Sequence, residues 1–253
     1  MGARTATARR TALLTVAGLA GGVLAGCGGS SDNTLTVFAA SSLIDAFAEI
    51  GEAFETQQTD VDVVITTGGS SSLRAQIIDG APAGVFASAN QATMDAVVEA
   101  GEAAASPVVF ARNRLVVAAP VDNPGDVRDV DDVGRPDLFV GLCAVGVPCG
   151  DLARAVLDET GVTPTVDTDE PDVRSLLAKL VDGELDVGLV YGTDAASAGE
   201  AVVAFDTGSD LTTPYLIAPL AAAADPDLAA AFVDFVTGPR GQAILADNGF
   251  EAP

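Results

Sequence analysis

The sequence of 253 residues contains no histidine and a single lysine, Lys179. A serine nucleophile needs an adjacent base, and the absence of histidine removes the most common one. Lys179 lies within a predicted helix, which does not favour a serine–lysine pair. No Gly-x-Ser-x-Gly motif, typical of serine hydrolases, occurs either. The sequence therefore predicts a protein that is not an enzyme.

Basic residues are also scarce. The chain carries 12 Lys and Arg against 36 Asp and Glu, a formal net charge of −24. Removal of residues 1–26, which resemble a signal peptide, takes away three arginines and no acidic residue, so the net charge becomes −27. This charge disfavours nucleic acid and anionic membrane surfaces as partners. An anion would have to be held by close, directed hydrogen-bond donors, because the long-range field repels it.

Only three cysteines are present, and one of them ends an N-terminal export signal. Residues 1–26 begin with three arginines, continue with the apolar run Leu13–Leu24 and lead into Cys27. This order is typical of a lipoprotein signal peptide, after whose removal Cys27 is lipidated. A plain signal or a short membrane anchor is the alternative, although the apolar run is short for a spanning helix. We predict a protein exported by the general or the twin-arginine route. It would be tethered by residues 27–33 and lipid-anchored to the outer face of the cytoplasmic membrane, in the cell envelope or periplasm.

The other two cysteines, Cys143 and Cys149, are available for a structural role. An exported protein folds in an oxidising setting, which favours a disulfide between them. Such a bond closes a short loop and stabilises the fold by about 2 kcal/mol in the chain-entropy model. Two cysteines without any histidine make a poor zinc site. Free thiols are the second alternative.

Two strand-to-helix junctions carry serine. The strand Leu35–Ala40 leads to Ser42, and the β-branched run Val61–Ile65 leads through two glycines to Ser70, each followed by helical spacing. Strands alternate with helices along the chain, which predicts an α/β fold with parallel sheets. Because the carboxyl ends of parallel strands meet at one edge, Ser42 and Ser70 are expected to lie together. Helix N-termini and hydroxyls there can hold an anion, whereas the alternative is that each serine only caps its own helix.

Six segments, in chain order, resemble the periplasmic molybdate-binding proteins of ABC importers. They are Val37–Leu43, Gly68–Ile77, Gly80–Ala89, Val147–Gly150, Asp172–Arg174 and Val190–Ala195. The third reads Gly-Ala-Pro-Ala-Gly-Val-Phe-Ala-Ser-Ala, with Gly84 where the family usually has aspartate. The fourth reads Val-Pro-Cys-Gly, with Cys149 where alanine is common. The resemblance covers residues 34–253.

The resemblance implies the type II periplasmic binding protein fold, in which two α/β lobes with mixed, mostly parallel sheets enclose a ligand cleft. Lobe I would comprise residues 34–112 with the returning tail 219–253, and lobe II residues 113–218. Residues 114–119 and 215–219 would be the two hinge crossings, and the expected motion is closure of the lobes around the ligand.

The resemblance also implies a set of ligand-binding residues. These are Ser42 and Ser70 through hydroxyl and backbone N–H groups, Cys149 and Val173 through backbone N–H groups, and Tyr191 through its phenolic hydroxyl. Molybdate and tungstate are tetrahedral dianions with no proton near neutral pH, so a site for them needs only donors. Taken singly, Val173 is typical of a core residue and Tyr191 of a structural one. Arg74 and Arg174 are interpreted as solvated helix faces and not as ligands.

The implied function is that of an extracytoplasmic substrate-binding protein. It would capture molybdate, and tungstate as well, in the cleft as a monomer, without a cofactor or a bare cation site. It would deliver the oxyanion to an ABC permease driven by a cytoplasmic ATPase, and the lipid anchor would be its only membrane contact.

Sulfate or phosphate binding on the same fold is the alternative. Sulfate shares the charge and shape of molybdate. A protonated phosphate needs an acceptor, and four aspartates lie near the predicted loops, namely Asp45, Asp151, Asp172 and Asp194. Iron is disfavoured, since ferric receptors of this fold use paired tyrosines, often with histidine, and only Tyr191 and Tyr215 are present. A lipid-anchored scaffold with a vestigial cleft would bind no anion at all.

Overall fold

The computed structural model describes residues 33–253. The predicted signal peptide, the lipidated Cys27 and all of the tether 27–33 except its last residue lie outside this range. Within the described range, no helix is both long and apolar enough to cross a membrane.

Nine strands form one mixed sheet in the described part of the chain. They are β1 (Thr34–Ala40), β2 (Asp62–Gly68), β3 (Val85–Ser88), β4 (Val108–Pro120), β5 (Val140–Cys143), β6 (Thr168–Glu170), β7 (Val187–Tyr191), β8 (Val202–Asp206) and β9 (Thr212–Pro219). Their order is β2-β1-β3-β9-β4-β7-β5-β6, and β8 pairs with β4. Four pairings are parallel. The four antiparallel pairings all involve β4 or β9.

Eight α-helices lie between these strands or follow them in residues 33–253. They are α1 (Ile44–Gln57), α2 (Ser70–Ile78), α3 (Gln91–Glu99), α4 (Pro148–Thr160), α5 (Val173–Val181), α6 (Gly192–Ala198), α7 (Pro226–Thr237) and α8 (Pro239–Asp247). Three short 3-10 helices cover Ser41–Leu43, Val130–Gly134 and Gly199–Ala201. The sequence Gly192-Thr193-Asp194 predicts a turn directly after Tyr191, and the structure instead has the start of α6 there, a helix without a clear apolar period.

The apolar spacing of α1 explains how the C-terminal tail returns to the first strands. Phe47, Ile50 and Phe54 lie on one face of α1 and are fully buried. The Phe54 ring packs edge-on against Phe232 of α7, with ring centroids 5.2 Å apart. Helix α7 therefore shares a core with β1 and α1, although the intervening chain passes through the other half of the molecule.

The long strand β4 joins two halves of the sheet. Its first part pairs with β9, and from Leu115 onward it pairs with β7 and β8. The sequence predicts two separate extended segments here, and the structure shows one strand with an irregularity between Val109 and Ala111. One apolar core packs around β5 and β7, and two others pack around β1 and β3. The α/β prediction is confirmed, while the lobe boundaries stay a prediction.

Candidate functional site

Five helix N-termini meet at a small cavity between the two halves of the sheet. The cavity and the open solvent at its mouth together have about 200 Å³ of space not filled by atoms. Its lining comprises Ala40, Ser41, Ser42, Gly69, Ser70, Ala89, Val147, Pro148, Cys149, Asp172, Val173 and Tyr191. All five residues predicted to bind a ligand are in this lining. The first N–H groups of a helix have no partner within it and carry partial positive charge, so the cavity is polarised towards an anion.

Ser70 does not cap its helix. The N-cap of α2 is Gly69, and no side chain accepts a capping hydrogen bond there. The Ser70 Oγ instead accepts a hydrogen bond from the backbone N–H of Ala89, at 3.1 Å. Thr213 of β9 fixes this contact, because its Oγ1 donates to the Ala89 carbonyl at 2.7 Å. The capping alternative is therefore wrong for Ser70, and a strand from elsewhere in the sheet positions its hydroxyl.

Ser42 is held in a similar way. It lies in the 3-10 helix Ser41–Leu43, whose N-cap also makes no side-chain hydrogen bond. Its Oγ lies 2.8 Å from the hydroxyl of Tyr215 on β9, and both groups are buried. Strand β9 thus supports both serines, which the chain order alone does not reveal.

Two backbone donors come from the other half of the sheet. Cys149 and Val173 are buried in the first turns of α4 and α5. Pro148 occupies the first position of α4, where its missing N–H costs no hydrogen bond. At α5 the Asp172 carboxylate accepts from the N–H groups of Arg174 and Ser175, at 2.8 and 3.0 Å. The cap therefore leaves the N–H of Val173 to the cavity.

Tyr191 offers a free hydroxyl. It ends β7, forms the N-cap of α6 and is 1% exposed. Its hydroxyl has no hydrogen-bond partner among residues 33–253. Burial raises the pKa of Tyr191 well above its usual value, so the phenol keeps its proton. A buried hydroxyl without a partner is costly, and a ligand that accepts hydrogen bonds removes that cost.

Three of the four aspartates that make phosphate an alternative in the sequence are engaged elsewhere. Asp172 lines the cavity but caps α5, and its second oxygen accepts from the Ser175 hydroxyl at 3.0 Å. Asp151 accepts from the backbone N–H of Gly146 at 2.8 Å, and Asp45 forms an ion pair with Arg174. No basic side chain belongs to the described lining either. The cavity therefore presents neutral donors and no uncommitted carboxylate.

Arg174 is not a solvated helix face, contrary to the sequence-based interpretation. Its side chain is 27% exposed and lies between two aspartates. Its Nε is 2.7 Å from the Oδ1 of Asp194, which is completely buried, and its terminal nitrogen pairs with Asp45 on α1. Burial raises the pKa of Asp194 to about 7, and the charge of Arg174 opposes this rise. The arginine does not line the cavity but ties the two halves together beside it.

Two further contacts cross the cavity rim. The Ser71 hydroxyl of α2 donates to the Gly146 carbonyl at 2.6 Å. A Cβ at Gly69 would lie 2.6 Å from the carbonyl oxygen of Pro171, so only glycine permits this approach. The start of α2 is thus in contact with the segment that precedes α5.

Cys143 and Cys149 form a disulfide, with their Cα atoms 5.7 Å apart. It closes the turn before α4, which holds the Cys149 N–H. Gly150, the third residue of α4, lies against this turn, and a Cβ there would lie 2.4 Å from the Cys143 carbonyl oxygen. The cysteines therefore do not serve as metal ligands, and within residues 33–253 no group of three or more His, Cys, Asp or Glu is placed to hold a metal ion.

Loss of this disulfide is expected to lower the free energy of unfolding by about 2 kcal/mol, because the unfolded chain regains the entropy of a short loop. The measurement is urea unfolding of residues 33–253 with and without a reductant. A Cys143→Ser/Cys149→Ser double variant is the control, since its midpoint should not respond to reductant. An equal response of both proteins, or none of the wild type, contradicts the prediction.

The roles that three residues have around the cavity are not predicted from the sequence. Asp172 precedes a strongly periodic apolar helix, which is a recognisable N-cap signal. Tyr215 and Ala89 carry no such local signal, because their contacts to Ser42 and Ser70 depend on the position of β9 in the sheet.

The two-part sheet and the cavity between its halves define a type II periplasmic binding protein. A family model for bacterial extracellular solute-binding proteins matches residues 35–251. The chain belongs to this family.

Relatives and solved structures agree with this assignment. The molybdate-binding protein ModA of Mycobacterium tuberculosis (strain H37Rv) is 40% identical over 222 residues, which cover 87% of this chain and 85% of the relative. The predicted resemblance is thereby confirmed. The structure of the Azotobacter vinelandii periplasmic molybdate-binding protein covers 87% of this chain and 99% of its own, with TM-score 0.74 and 22% identity. The sulfate-binding protein SubI from Mycobacterium tuberculosis covers 87% and 86%, with TM-score 0.75 and 19% identity. These two structures share the fold.

Proposed function

We propose that this chain is an extracytoplasmic substrate-binding protein that captures molybdate, and tungstate as well, and delivers it to an ABC transporter. The observation that carries the proposal is the cavity lined by neutral donors from five helix starts, with no uncommitted carboxylate among the described residues of its lining. The ModA relative, 40% identical, supports molybdate as the oxyanion.

Capture would use donors from both halves of the sheet at once. Ser42 and Ser70 belong to the half that contains β1 and β2, and the other three donors belong to the half that contains β5 and β7. Those three are the Cys149 and Val173 N–H groups and the Tyr191 hydroxyl. A dianion that accepts from both halves favours the arrangement in which they touch, which is ligand-driven closure. Neutral donors in a site with little water suffice for this, despite the acidic chain.

The lobes in this proposal are residues 34–112 with 219–253, and residues 113–218. The N-terminal segment would act as a lipoprotein signal, with Cys27 lipidated and the domain held outside the cytoplasmic membrane. A permease and its ATPase would be the partners of the monomer. No step of this role requires catalysis, a cofactor or nucleic acid.

Sulfate is the second candidate ligand, because it also lacks a proton near neutral pH and fits a donor-only site. Because a sulfate-binding protein shares this fold, sulfate is included among the anions to be tested. Phosphate is disfavoured by the commitment of Asp172 to its helix cap.

Thermal unfolding of residues 33–253 with molybdate, tungstate, sulfate or phosphate, at equal ionic strength, tests the proposal. A ligand of the folded state at about 100 times its Kd adds about 2.7 kcal/mol. We expect large shifts with molybdate and tungstate only. A rise in unfolding temperature with sulfate alone would identify sulfate, and not molybdate, as the ligand. If no anion changes the unfolding temperature, the protein is a scaffold with an unused cleft. A Tyr191→Phe variant is the matched control, since it removes one proposed donor and should reduce the shift.

A further inference from the structure

Both serine hydroxyls at the cavity are already engaged by a second group of the protein. The Ser70 Oγ accepts from the Ala89 N–H, and the Ser42 Oγ is bonded to the Tyr215 hydroxyl. The first bond has only one possible direction, because an amide N–H is a donor. The second could run either way, since each hydroxyl can donate or accept.

The surroundings of Tyr215 decide the direction of this bond. Its ring is buried among Phe110, Tyr191 and Phe250. Its hydroxyl lies 2.8 Å from the Oγ of Ser42, and the polar groups of Tyr191 and Asn113 also lie near it. Burial raises the pKa of Tyr215, so the phenol retains a proton to donate. If Ser42 donated instead, its proton would be lost to the cavity, and the Tyr215 proton would have, among residues 33–253, only the less well-placed side chains of Tyr191 and Asn113 as partners.

We propose that Tyr215 is a positioning residue that fixes Ser42 as a hydrogen-bond donor, and that it thereby makes the cleft select oxyanions without a proton over hydrogenphosphate. This inference rests on the proposed function. A serine has one proton, and when its oxygen accepts from the protein that proton is left for the ligand. The Tyr215 hydroxyl donates to the Ser42 oxygen, as the Ala89 N–H donates to the Ser70 oxygen.

The selectivity against phosphate follows from the groups that a P–OH would contact in the cavity. Phosphate at neutral pH always carries a proton, which needs an acceptor when it is buried. Asp172 is the carboxylate in the cavity lining, and both of its oxygens are taken. A serine that was free to rotate could accept from the P–OH. The bond from Tyr215 takes one of the two lone pairs of the Ser42 Oγ and directs its proton towards the ligand, so a P–OH group would meet that proton.

The experiment is a double-mutant cycle of Tyr215→Phe and Ser42→Ala, with Kd values for molybdate, sulfate and phosphate from calorimetry. Phenylalanine keeps the ring packing and removes only the hydroxyl. We expect Tyr215→Phe to raise the molybdate Kd about tenfold. The ratio of the phosphate Kd to the molybdate Kd should fall by at least the same factor. In the Ser42→Ala background the same change should alter the molybdate Kd by less than about twofold, because the hydroxyl it orients is gone.

A packing variant separates orientation from structure. Phe250→Leu disturbs the edge-on contact with the Tyr215 ring without touching the hydroxyl, and should leave the anion ratio unchanged. Additive effects in the cycle, or equal weakening for all three anions, overturn the inference while molybdate binding by the wild type still supports the proposed function. If the wild type binds neither molybdate nor sulfate, both are overturned. If Tyr215→Phe does not fold, Ser42→Ala alone must weaken molybdate binding about tenfold, because it removes the same donor, and an unchanged molybdate Kd overturns the inference.

Discussion

Replacement of Val173 by proline is expected to weaken molybdate binding about a hundredfold while the domain stays folded. Val173 is the first residue of α5, a position where proline is well tolerated because its N–H makes no helical bond. The preceding residue, Asp172, already has extended backbone angles of −162° and 169°, as a residue before proline requires. The substitution therefore removes one N–H that faces the cavity and little else. A hydrogen bond to a charged group contributes about 1.5–3 kcal/mol, and the proline ring also fills the place of the donor.

Calorimetry and thermal unfolding of the ligand-free variant check this prediction together. Val173→Ala is the matched control, because it keeps the N–H and removes two methyl groups from the core. It should lose stability but retain most of the affinity. The reverse pattern, with strong binding by Val173→Pro and weak binding by Val173→Ala, would show that the side chain and not the backbone donor holds the ligand.

The second large effect concerns the buried carboxylate of Asp194. Its pKa is raised from 3.8 to about 7 in the folded state, so the folded protein holds a proton there that the unfolded chain has released. Between pH 3.8 and about 7 the free energy of unfolding therefore falls as pH rises, and above about pH 7 the stabilisation from this proton is fully lost. The shift corresponds to at most about 4 kcal/mol. We expect Asp194→Asn to abolish this part of the pH dependence and to gain stability relative to the wild type on going from pH 4 to pH 8.

Urea unfolding of both proteins across this pH range isolates the contribution of Asp194, because the other carboxylates titrate in both. Asp122→Asn, at an exposed position, serves as the control and should follow the wild-type curve. If the difference between wild type and Asp194→Asn does not vary with pH, the buried group keeps its charge and Arg174 fully compensates for its burial.

The serines could be located from the sequence because local patterns determine them. A strand that ends in glycine or serine, followed by helical spacing, places a hydroxyl at a helix start, and parallel strands bring two such starts to one edge. The family resemblance added Cys149, Val173 and Tyr191, which local patterns alone would assign to the core. All five line the cavity.

The long-range contacts that hold the site residues in place could not be predicted from the sequence. Tyr215 reaches Ser42 across 173 positions, and Thr213 reaches Ala89 across 124. These contacts arise because β9 inserts between β3 and β4, an arrangement that no local propensity specifies. Arg174 was misread for the same reason, since both of its carboxylate partners lie in other elements of the fold.

The approach of Gly69 to the Pro171 carbonyl has a consequence for the lifetime of the complex. Under the proposed function, this contact would cover the bound oxyanion, which would leave only after the halves part. The dissociation rate then reports the frequency of opening, and a hydrogen bond that survives partial opening adds little to the residence time. Under the proposed function, a transporter that holds the two halves apart would speed hand-over, because release would otherwise wait for spontaneous opening.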